Sequence, residues 1–360
     1  MAIAQSLTPL AGKRILVTGG TGSLGKRLVH RLLGGELGAP EAVIVFSRDE
    51  AKQHEMRVAY QANIAVTDEV VYRDFQRRLQ FRIGDVRDFY SLAAAMRGAD
   101  FVFNAAAMKQ VPACEYSPFE AVRTNIEGAE NIVRVIQTLH LKTDTVVGIS
   151  TDKACLPLNV MGMTKAIQER VFVQANLRAP ETRFIGVRYG NVLASRGSVI
   201  PLFLQQIQNG GPVTVTTEEM TRFLLSLDDA VDTVFAAIRL GAPGEIFVPH
   251  APAARIIDVA NVMTRGRKVG TRVTGIRPGE KVHELMVSQE EAFRAYPCEQ
   301  WFAIAPMLPE IGTPGREGSA LNREYSSAHD LLSLEAIGAL LTRHSLMPGQ
   351  QASAHGEVLA

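Results

Sequence analysis

The most constraining feature of the sequence is a glycine-rich turn close to the start of the chain. A short apolar run, Arg14-Ile-Leu-Val17, leads into Thr18-Gly-Gly-Thr-Gly-Ser-Leu-Gly25, and a helical stretch follows. Glycines in this spacing allow a tight turn, a close approach of the backbone to a pyrophosphate, and close packing of helix on strand. The N-terminus of the helix supplies N–H groups to the anion. The order strand, turn, helix therefore predicts a dinucleotide site at Gly19, Thr21, Gly22, Ser23 and Leu24.

Runs of β-forming residues alternate with helical stretches through the first half of the chain. These runs cover residues 42–46, 79–83, 100–103, 145–149 and 184–187. Such an alternation is typical of a parallel sheet that is covered by helices on both faces. We therefore predict an α/β fold built on a Rossmann-type doubly wound parallel sheet.

The pattern changes after Gly190, where glycine and proline divide the chain into shorter pieces. This change predicts a smaller substrate lobe that is partly interleaved with the first domain. We assign residues 12–190 to the nucleotide-binding domain, together with some later segments, and residues 191–335 mainly to the second lobe. Residues 345–360 are predicted to form a flexible tail, because the end of the chain is polar, small and aperiodic.

The composition excludes several classes of protein. A formal net charge of +1 gives no bulk attraction to nucleic acid or to a membrane surface. No apolar run approaches the ~20 residues of a membrane span, and the N-terminus lacks the layout of a signal peptide. The three cysteines, Cys114, Cys155 and Cys298, are far apart, and no spacing suits a metal site. Their number and spacing favour the reducing cytoplasm.

The residues at the strand ends indicate which dinucleotide binds. The second strand ends at Phe46-Ser47-Arg48, and Lys52 follows four residues later. An NAD site usually offers an acidic group there to the ribose 2′-hydroxyl, whereas an arginine suits the 2′-phosphate of NADP. NADP is therefore favoured over NAD as the cofactor. The other predicted cofactor contacts close the third and fourth strands: Asp85, Val86, Ala105 and Ala106.

Further motifs resemble those of a known family. The glycine pattern together with Gly84-Asp-Val86, Asn104-Ala-Ala-Ala107, Asn125 and Lys165 resembles the extended short-chain dehydrogenases/reductases. A narrower set resembles their polysaccharide-biosynthesis branch, notably the UDP-N-acetylglucosamine 4,6-dehydratases that invert C5. The motifs of this set are Phe46-Ser-Arg-Asp-Glu50, Met108-Lys-Gln-Val-Pro112, Ser150-Thr-Asp-Lys153, Arg188-Tyr-Gly-Asn-Val192 and Arg277-Pro-Gly-Glu-Lys281. The resemblance covers roughly residues 12 to 335.

The resemblance implies a reaction in which a hydride leaves C4 of the sugar and returns at C6. The C4 ketone acidifies the C5 proton, a base removes this proton, and an acid helps O6 to leave as water. By resemblance, Asp152 is the acid at O6, Lys153 is the base at C5, and Thr151 orients O4. These residues follow the fifth strand, at the sheet edge where open α/β sheets bind ligands. Because NADP is regenerated in each turnover, the net reaction is that of a lyase.

One position departs from the usual pattern of the larger family. Short-chain dehydrogenases usually carry Tyr-x-x-x-Lys, in which the tyrosine deprotonates the substrate hydroxyl and the lysine holds the nicotinamide ribose. This sequence has Met161-Gly-Met-Thr-Lys165, and a thioether is no useful proton acceptor. A methionine here resembles one sub-branch of the inverting dehydratases. The O4 proton would then leave through Thr151, Asp152, Lys153 or Lys165, and the sequence does not decide among them.

The second lobe offers candidates for binding a UDP-sugar. Asn191, Arg222 and Arg277 are candidates for the diphosphate, since guanidinium groups suit phosphate geometry. Ser198-Val-Ile-Pro201 and Pro212-Val-Thr-Val215 resemble the segments that flank uracil in related enzymes. The remaining substrate candidates are Val199 and Thr214 at the uracil, Glu280 at the ribose and, from the first domain, Lys109 at the sugar or nicotinamide. Asn125 is predicted with the cofactor-binding residues, and by resemblance it bonds the backbone and shapes the cleft.

Two other functions compete with the dehydratase. A UDP-hexose 4-epimerase needs oxidation at C4 but neither the acid at O6 nor the base at C5. A non-catalytic NADP-binding regulator would keep the cofactor site without turnover. We also expect a homo-oligomer, but the sequence does not indicate the number of subunits. It also leaves open the C5 stereochemistry and the downstream sugar.

Overall fold

The computed structural model describes residues 8–62, 77–193, 198–312 and 321–350. Residues 351–360 of the predicted tail lie outside the described residues. The strands of the described chain are β1 (Arg14–Thr18), β2 (Ala42–Ser47), β3 (Leu79–Ile83), β4 (Phe101–Asn104), β5 (Thr145–Ile149), β6 (Arg183–Val187), β7 (Val213–Val215), β8 (Thr221–Phe223), β9 (Ile246–Pro249), β10 (Ala253–Arg255), β11 (Thr271–Val273), β12 (Leu285–Val287), β13 (Ala295–Cys298), β14 (Trp301–Ile304) and β15 (Tyr325–Ser326).

The helices of the described chain surround these strands. They are α1 (Ser23–Leu33), α2 (Glu50–Ala62), α3 (Phe89–Met96), α4 (Val111–Tyr116), α5 (Pro118–Ala121), α6 (Gly128–Leu139), α7 (Val160–Arg178), α8 (Val199–Gln208), α9 (Leu227–Leu240), α10 (Ile256–Thr264), α11 (Gln289–Ala292) and α12 (Leu334–Arg343). A π-helical turn, Val122–Glu127, joins α5 to α6, and short 3₁₀ turns cover Asp152–Ala154 and Pro309–Ile311. No helix in these ranges combines the length and the apolar character that a membrane crossing requires.

The main sheet has the strand order β13-β14-β9-β6-β5-β4-β1-β2-β3. The seven strands from β3 to β9 run parallel, and the hairpin of β13 and β14 adds two antiparallel strands at one edge. This arrangement confirms the predicted α/β class and the doubly wound parallel sheet. The order β3-β2-β1-β4-β5-β6 reverses direction at β1, so the crevice for a dinucleotide lies beyond the ends of β1 and β4.

Both faces of the sheet are buried, because alternate side chains along each strand point to opposite faces. Val17 and Val45 join a core cluster with α1 and α9. Leu16, Ile44 and Val102 join a second cluster on the other face, with α3, α6 and α7. The central strands β2, β4 and β5 are consequently almost continuous apolar runs, which is why the sequence alone revealed them.

The second lobe has a core of its own, where α8, α10 and α12 pack through Phe203, Ile256 and Leu341. Three two-stranded sheets complete it: β7 with β11, β8 with β10, and β12 with β15. Segments that follow residue 190 also return to the main sheet, since β9, β14 and β13 extend its edge and α9 covers one face. The two lobes therefore share the second half of the chain.

Candidate active site

A single cavity of about 1050 Å³ extends from the glycine-rich turn to the second lobe. It lies over the carboxyl ends of β1, β2, β4 and β5, where the crevice of such a sheet is expected. All the site residues predicted above line this cavity except Asn125, Val199 and Thr214. Its size lies at the upper end of the roughly 300–1000 Å³ typical of small-molecule pockets and suits a large ligand such as a dinucleotide.

The turn after β1 is a cradle made of backbone. Gly19 has φ +66°, and a Cβ there would lie 2.7 Å from Cα of Ala106. A Cβ on Gly25 would lie 2.4 Å from the Gly19 carbonyl oxygen. Helix α1 begins without a side-chain cap and without an acidic residue in its first turn. Its first N–H groups are therefore available to an anion, and these residues fit the pyrophosphate of a dinucleotide.

Charged side chains surround the end of β2 and β3. Arg48, whose side chain is 63% exposed, lies 3.7 Å from the Asp85 carboxylate. Arg87 holds the same carboxylate at 2.6 Å, and Lys52 pairs with Asp49 at 2.7 Å. Burial raises the pKa of Asp85, but the bonds from Arg87 outweigh burial and leave this pKa below its ordinary value. Asp85 is therefore an anion, and Arg87, which the sequence did not single out, fixes its position.

The end of β5 concentrates the chemically active side chains. A 3₁₀ turn follows the strand, and Thr151 caps it by accepting a hydrogen bond from the Lys153 N–H. The Thr151 hydroxyl donates to Oδ1 of the fully buried Asp152 over 2.8 Å, and Nζ of Lys153 donates to the same oxygen over 3.1 Å. Nζ of Lys153 also lies 3.2 Å from Oε1 of Glu284. Threonine, aspartate, lysine and glutamate thus form one continuous polar chain.

The protonation of this chain follows from its charges. Burial lowers the pKa of Lys153, but Asp152 and Glu284 outweigh burial and the opposing charge of Arg222. The pKa of Lys153 therefore lies above its ordinary value, and the amine carries a proton at rest. Burial and the nearby Asp152 raise the pKa of the Tyr189 phenol, which lines the same cavity. The phenol is consequently neutral at physiological pH.

Helix α7 brings Met161 and Lys165 to the cavity on neighbouring turns. Asn159 caps this helix and accepts a hydrogen bond from the N–H of Gly162 over 2.8 Å. Met161 is buried in an apolar cluster with Cys114 and carries no acid–base group. Nζ of Lys165 donates to the Ile149 carbonyl and, over 2.7 Å, to Gln168. Burial, partly opposed by Glu169, lowers the pKa of Lys165 to about 7, so this amine can change charge near neutral pH.

Asn125 lies behind the cavity rather than in its wall. It sits in the π-helical turn, an irregularity that is frequent at functional sites. Its amide accepts from the N–H of Met108 over 2.8 Å and donates to the carbonyl of Met108 over 3.0 Å and to Thr164 over 2.9 Å. These bonds hold the loop after β4, which carries Lys109, against helix α7.

A buried ion network supports the end of β5 from below. Arg188 bridges Glu169 at 2.7 Å and Glu291 at 2.8 Å, and Ser150 donates to Glu169. Burial raises the pKa of Glu291, yet Arg188 outweighs it and brings this pKa to about 2. Nearby, burial raises the pKa of Cys155 to about 12, so its thiol stays protonated. These groups position the backbone around residues 150–155, and Cys155 has none of the character of a nucleophile.

Unpartnered polar atoms mark the second-lobe side of the cavity. Buried polar atoms are nearly always hydrogen-bonded, so those without partners indicate where a ligand binds. In the described ranges, five such side-chain atoms belong to residues that line this cavity: Oδ2 of Asp152, Oδ1 of Asn191, Oγ of Ser198, Oε2 of Glu280 and Oε2 of Glu284. Arg222 is held by the carbonyls of Thr221 and Val282, while Arg277 is exposed at the rim.

The structure differs from the sequence-based prediction at four residues of the site. Val199 and Thr214 lie outside the cavity wall, and Thr214 bonds the side chain of Gln206. Glu284 and Tyr189 were missed, although both line the cavity. Tyr189 stood inside a quoted motif, which was a usable signal. Glu284 follows the Arg277 motif in a stretch without periodicity, and no local pattern identifies it.

The fold and this site define a class of enzyme. A doubly wound sheet with a glycine cradle after β1, an Asp-Lys pair after β5 and a buried lysine on α7 is the arrangement of the extended short-chain dehydrogenases/reductases. The sequence model of the family described as polysaccharide biosynthesis protein matches residues 15–306. The chain belongs to this family, and it is an enzyme of the nucleotide-sugar dehydratase and epimerase group.

Individual relatives agree on this group but carry two different names. A UDP-glucose 4-epimerase of Rickettsia typhi is 40% identical over 91% of this chain and 95% of its own. A UDP-N-acetylglucosamine 4,6-dehydratase (inverting) of Campylobacter jejuni is 39% identical over 89% of this chain and 93% of its own. The solved structure of Pen from Bacillus thuringiensis superposes with a TM-score of 0.83 at 32% identity, over 94% of this chain and all of that one.

Proposed function

We propose that the chain is a UDP-N-acetylglucosamine 4,6-dehydratase that inverts C5 and yields a UDP-4-keto-6-deoxy sugar for glycan synthesis. The observation that carries this proposal is the pair of Asp152 and Lys153 in the wall of the cavity. Oδ2 of Asp152 is buried without a partner in the described chain, and Nζ of Lys153 lies 3.1 Å from Oδ1 of the same residue. An elimination of water needs an acid at O6 and a base at C5, whereas an epimerisation at C4 needs neither of these two groups.

The protein's own residues account for the proton transfers. As O4 loses its proton to the Thr151 hydroxyl, the hydroxyl passes its own proton to Oδ1 of Asp152. Asp152 thereby becomes the carboxylic acid that protonates O6, while Lys153, once neutral, takes the proton from C5. Inversion then requires that the planar intermediate turn the opposite face of C5 toward the Lys153 ammonium, which returns a proton to that face. The water that leaves contains the C6 hydroxyl and the proton from O4, so the atoms balance. A bound nicotinamide would supply the oxidation at C4 and the reduction at C6.

This route also answers how the reaction proceeds with Met161 in place of tyrosine. The hydrogen bond of 2.8 Å from Thr151 to Asp152 already links the position assigned to O4 with the acid assigned to O6. Lys165 remains in its supporting place, bonded to the end of β5 and to Gln168. We therefore assign the O4 proton to Thr151 and Asp152 rather than to Lys165.

The proposal includes the cofactor and the substrate contacts. We propose NADP, held by the cradle and, at its 2′-phosphate, by Arg48 and Lys52, which line the cavity at the end of β2. The diphosphate of the UDP-sugar would contact Arg222 and Arg277, and Glu280 would contact its ribose. The reduced thiols of Cys114 and Cys155 are compatible with the proposed cytoplasmic location.

We further propose a homo-oligomer that forms through α4, α5 and α7. Large apolar side chains are exposed on these helices: Tyr116 on α4 is 91% exposed and Phe119 on α5 is 72% exposed. Met163 and Ile167, one turn apart on α7, are exposed as well. Exposed apolar side chains of this size favour burial against another surface. Light scattering of the purified protein would measure the mass, and a monomer at micromolar concentration would overturn this part of the proposal.

The experiment that tests the function is product analysis by NMR in heavy water. With UDP-N-acetylglucosamine and NADP, we expect a 4-keto-6-deoxy sugar that carries deuterium at an inverted C5. Replacement of Lys153 by methionine should abolish C5 deuteration, and replacement of the exposed Lys142 serves as the matched control. Unchanged substrate with the wild-type protein would overturn the proposal.

The second candidate is a 4-epimerase, which the name of the Rickettsia relatives favours. Its product keeps the C6 hydroxyl, is inverted at C4 and carries no deuterium at C5. The same NMR spectrum therefore separates the two activities. Tight binding of NADP without any change in either UDP-sugar would favour the third candidate, a non-catalytic regulator.

A further inference from the structure

Glu284 stands out among the residues of the cavity that the proposed function leaves without a role. Only 2% of this residue is exposed, although it lines the cavity. Oε1 lies 3.2 Å from Nζ of Lys153 and 3.7 Å from Nε of Arg222. Oε2 is buried and has no hydrogen-bond partner in the described chain. Burial of a carboxylate oxygen without a hydrogen-bond partner costs free energy. Such atoms are rare in folded proteins, so this one indicates that Glu284 has a function.

The proposed reaction creates a need that this carboxylate meets. Lys153 must be neutral to remove the C5 proton, yet it lies between two carboxylates, which stabilise its protonated form. A proton released to water would have to leave a cavity that is filled with substrate. Glu284 is the nearest acceptor that is not already assigned to O6, since Asp152 receives the proton of O4.

We propose that Glu284 is a positioning residue that takes the proton of Lys153 when substrate closes the cavity and returns it after turnover. This inference rests on the proposed dehydratase function. In the transfer, one N–H bond of the ammonium breaks and one O–H bond forms on Glu284, so the charged pair becomes a neutral amine and a neutral acid. Bound substrate excludes water, and loss of water disfavours the charged pair relative to the neutral one.

The surroundings of the pair favour Lys153 as the proton donor of Glu284. The nearest other charged side chains are Asp152, which contacts Lys153 and receives the proton of O4, and Arg222, which lies beside Glu284. The remaining titratable groups on neighbouring elements are bonded elsewhere or neutral: His283 to Thr221, Lys281 to the carbonyl of Cys155, and the protonated phenol of Tyr189. None of these bonds to Glu284, so Lys153 is its proton donor within the described site.

The test replaces Glu284 by glutamine in the full chain and follows kcat between pH 6 and 9.5. Without the acceptor, Lys153 must release its proton to solvent, so we expect kcat to fall about 100-fold at pH 7 and to recover at least tenfold by pH 9. KM for UDP-N-acetylglucosamine and the affinity for NADP should change less than about twofold. Glu284→Asp should retain a larger part of the activity, and Glu335→Gln, at an exposed position of helix α12, is the matched control.

Each outcome has a distinct meaning. A loss of kcat that is equal at every pH, or no loss at all, would overturn the role of Glu284 while leaving the dehydratase intact. A wild-type protein that forms no 4-keto-6-deoxy sugar would instead overturn the proposed function. In that case the pKa of Lys153, read by NMR of ¹³C-methylated lysine, still tests the pairing. It should fall in Glu284→Gln, and an unchanged value would show that the two groups do not interact.

Discussion

The ends of β1 and β5, in the same sheet, contact their ligands in different ways. The turn after β1 contacts its ligand through backbone, and any side chain on Gly19 or Gly25 would collide with neighbouring backbone atoms. The turn after β5 contacts its ligand through side chains, and Asp152, Lys153 and the distant Glu284 are held in a buried polar chain. The first site binds a charge that the ligand brings, whereas the second must move protons and therefore needs groups of its own that change charge.

Substitutions at the two strand ends should therefore change different measured quantities. A backbone cradle fails through steric collision, so its loss appears in cofactor affinity. A chain of titratable side chains fails through lost proton transfer, so its loss appears in kcat and in the dependence on pH. Single substitutions in the turn after β1 and in the turn after β5 should therefore give different kinetic and binding results.

The largest effect is expected for Asp152→Asn. The amide keeps the shape of the buried carboxyl group but cannot carry the proton to O6, so kcat should fall about 10³-fold, within the range for general acids. NADP affinity should stay within about twofold of that of the wild type. Steady-state kinetics and calorimetric titration of NADP measure the two quantities. The control is Asp330→Asn, at a side chain that is 90% exposed, and a matching loss of NADP affinity would contradict the expected difference between the two strand ends.

Gly25→Ala should show the opposite pattern. The new Cβ would lie 2.4 Å from the Gly19 carbonyl, so the turn must open and the N–H groups of α1 lose their alignment. We expect NADP to bind about 100-fold more weakly, which corresponds to roughly 3 kcal/mol, by calorimetric titration. Gly270→Ala is the control, because a Cβ there meets nothing within 4 Å. Normal NADP binding by Gly25→Ala would show that the cradle is not the phosphate site.

Arg48→Ala should sharpen the assignment of the cofactor with a smaller effect. One exposed guanidinium beside a phosphate contributes little more than about 1.5 kcal/mol, so the affinity for NADP should fall about tenfold. The affinity for NAD, which lacks the 2′-phosphate, should stay within a factor of two. Arg255→Ala removes an arginine of similar exposure in the second lobe and should alter neither. Equal losses for both cofactors would contradict the role of Arg48 at the 2′-phosphate.

The last prediction concerns the stability of the protein without its ligands, rather than catalysis or cofactor binding. The pKa of Lys165 is about 7 in the folded chain and about 10.4 in an unfolded one. Between these values the unfolded chain holds a proton that the folded chain lacks, so the free energy of unfolding rises with pH. Below pH 7 both states hold the proton, and the full penalty of the buried charge applies.

Replacement of Lys165 by methionine removes this dependence. The free energy of unfolding of the wild type, minus that of Lys165→Met, should rise by at most about 1.4 kcal/mol per pH unit above pH 7. Urea denaturation of the two proteins at pH 6, 8 and 9.5 measures it. A difference that stays constant with pH would mean that the amine keeps its proton in the folded protein.

Local sequence patterns were sufficient to predict the central strands and the cofactor-binding turn. Apolar runs specified the central strands β2, β4 and β5, because strands that are buried on both faces have few polar positions. The edge strand β3 is partly exposed and contains Gln80 and Arg82. The glycines of residues 19–25 specified the cradle, since the close approach of two backbones excludes side chains. The Thr151-Asp152-Lys153 triplet follows a predicted strand, but its roles were predicted from the resemblance to a known family and not from the local pattern.

Only the tertiary structure decided which distant groups complete the site. Glu284 lies more than 130 positions from Lys153 in the chain, and its approach depends on how β12 of the second lobe packs beside the turn after β5. The protonation of Lys153 and Lys165 was likewise undetermined, because two lysines of equal intrinsic pKa differ only in burial and in neighbouring carboxylates. Local sequence records the identity of a titratable group, whereas its charge is set by atoms that folding brings to it from elsewhere in the chain.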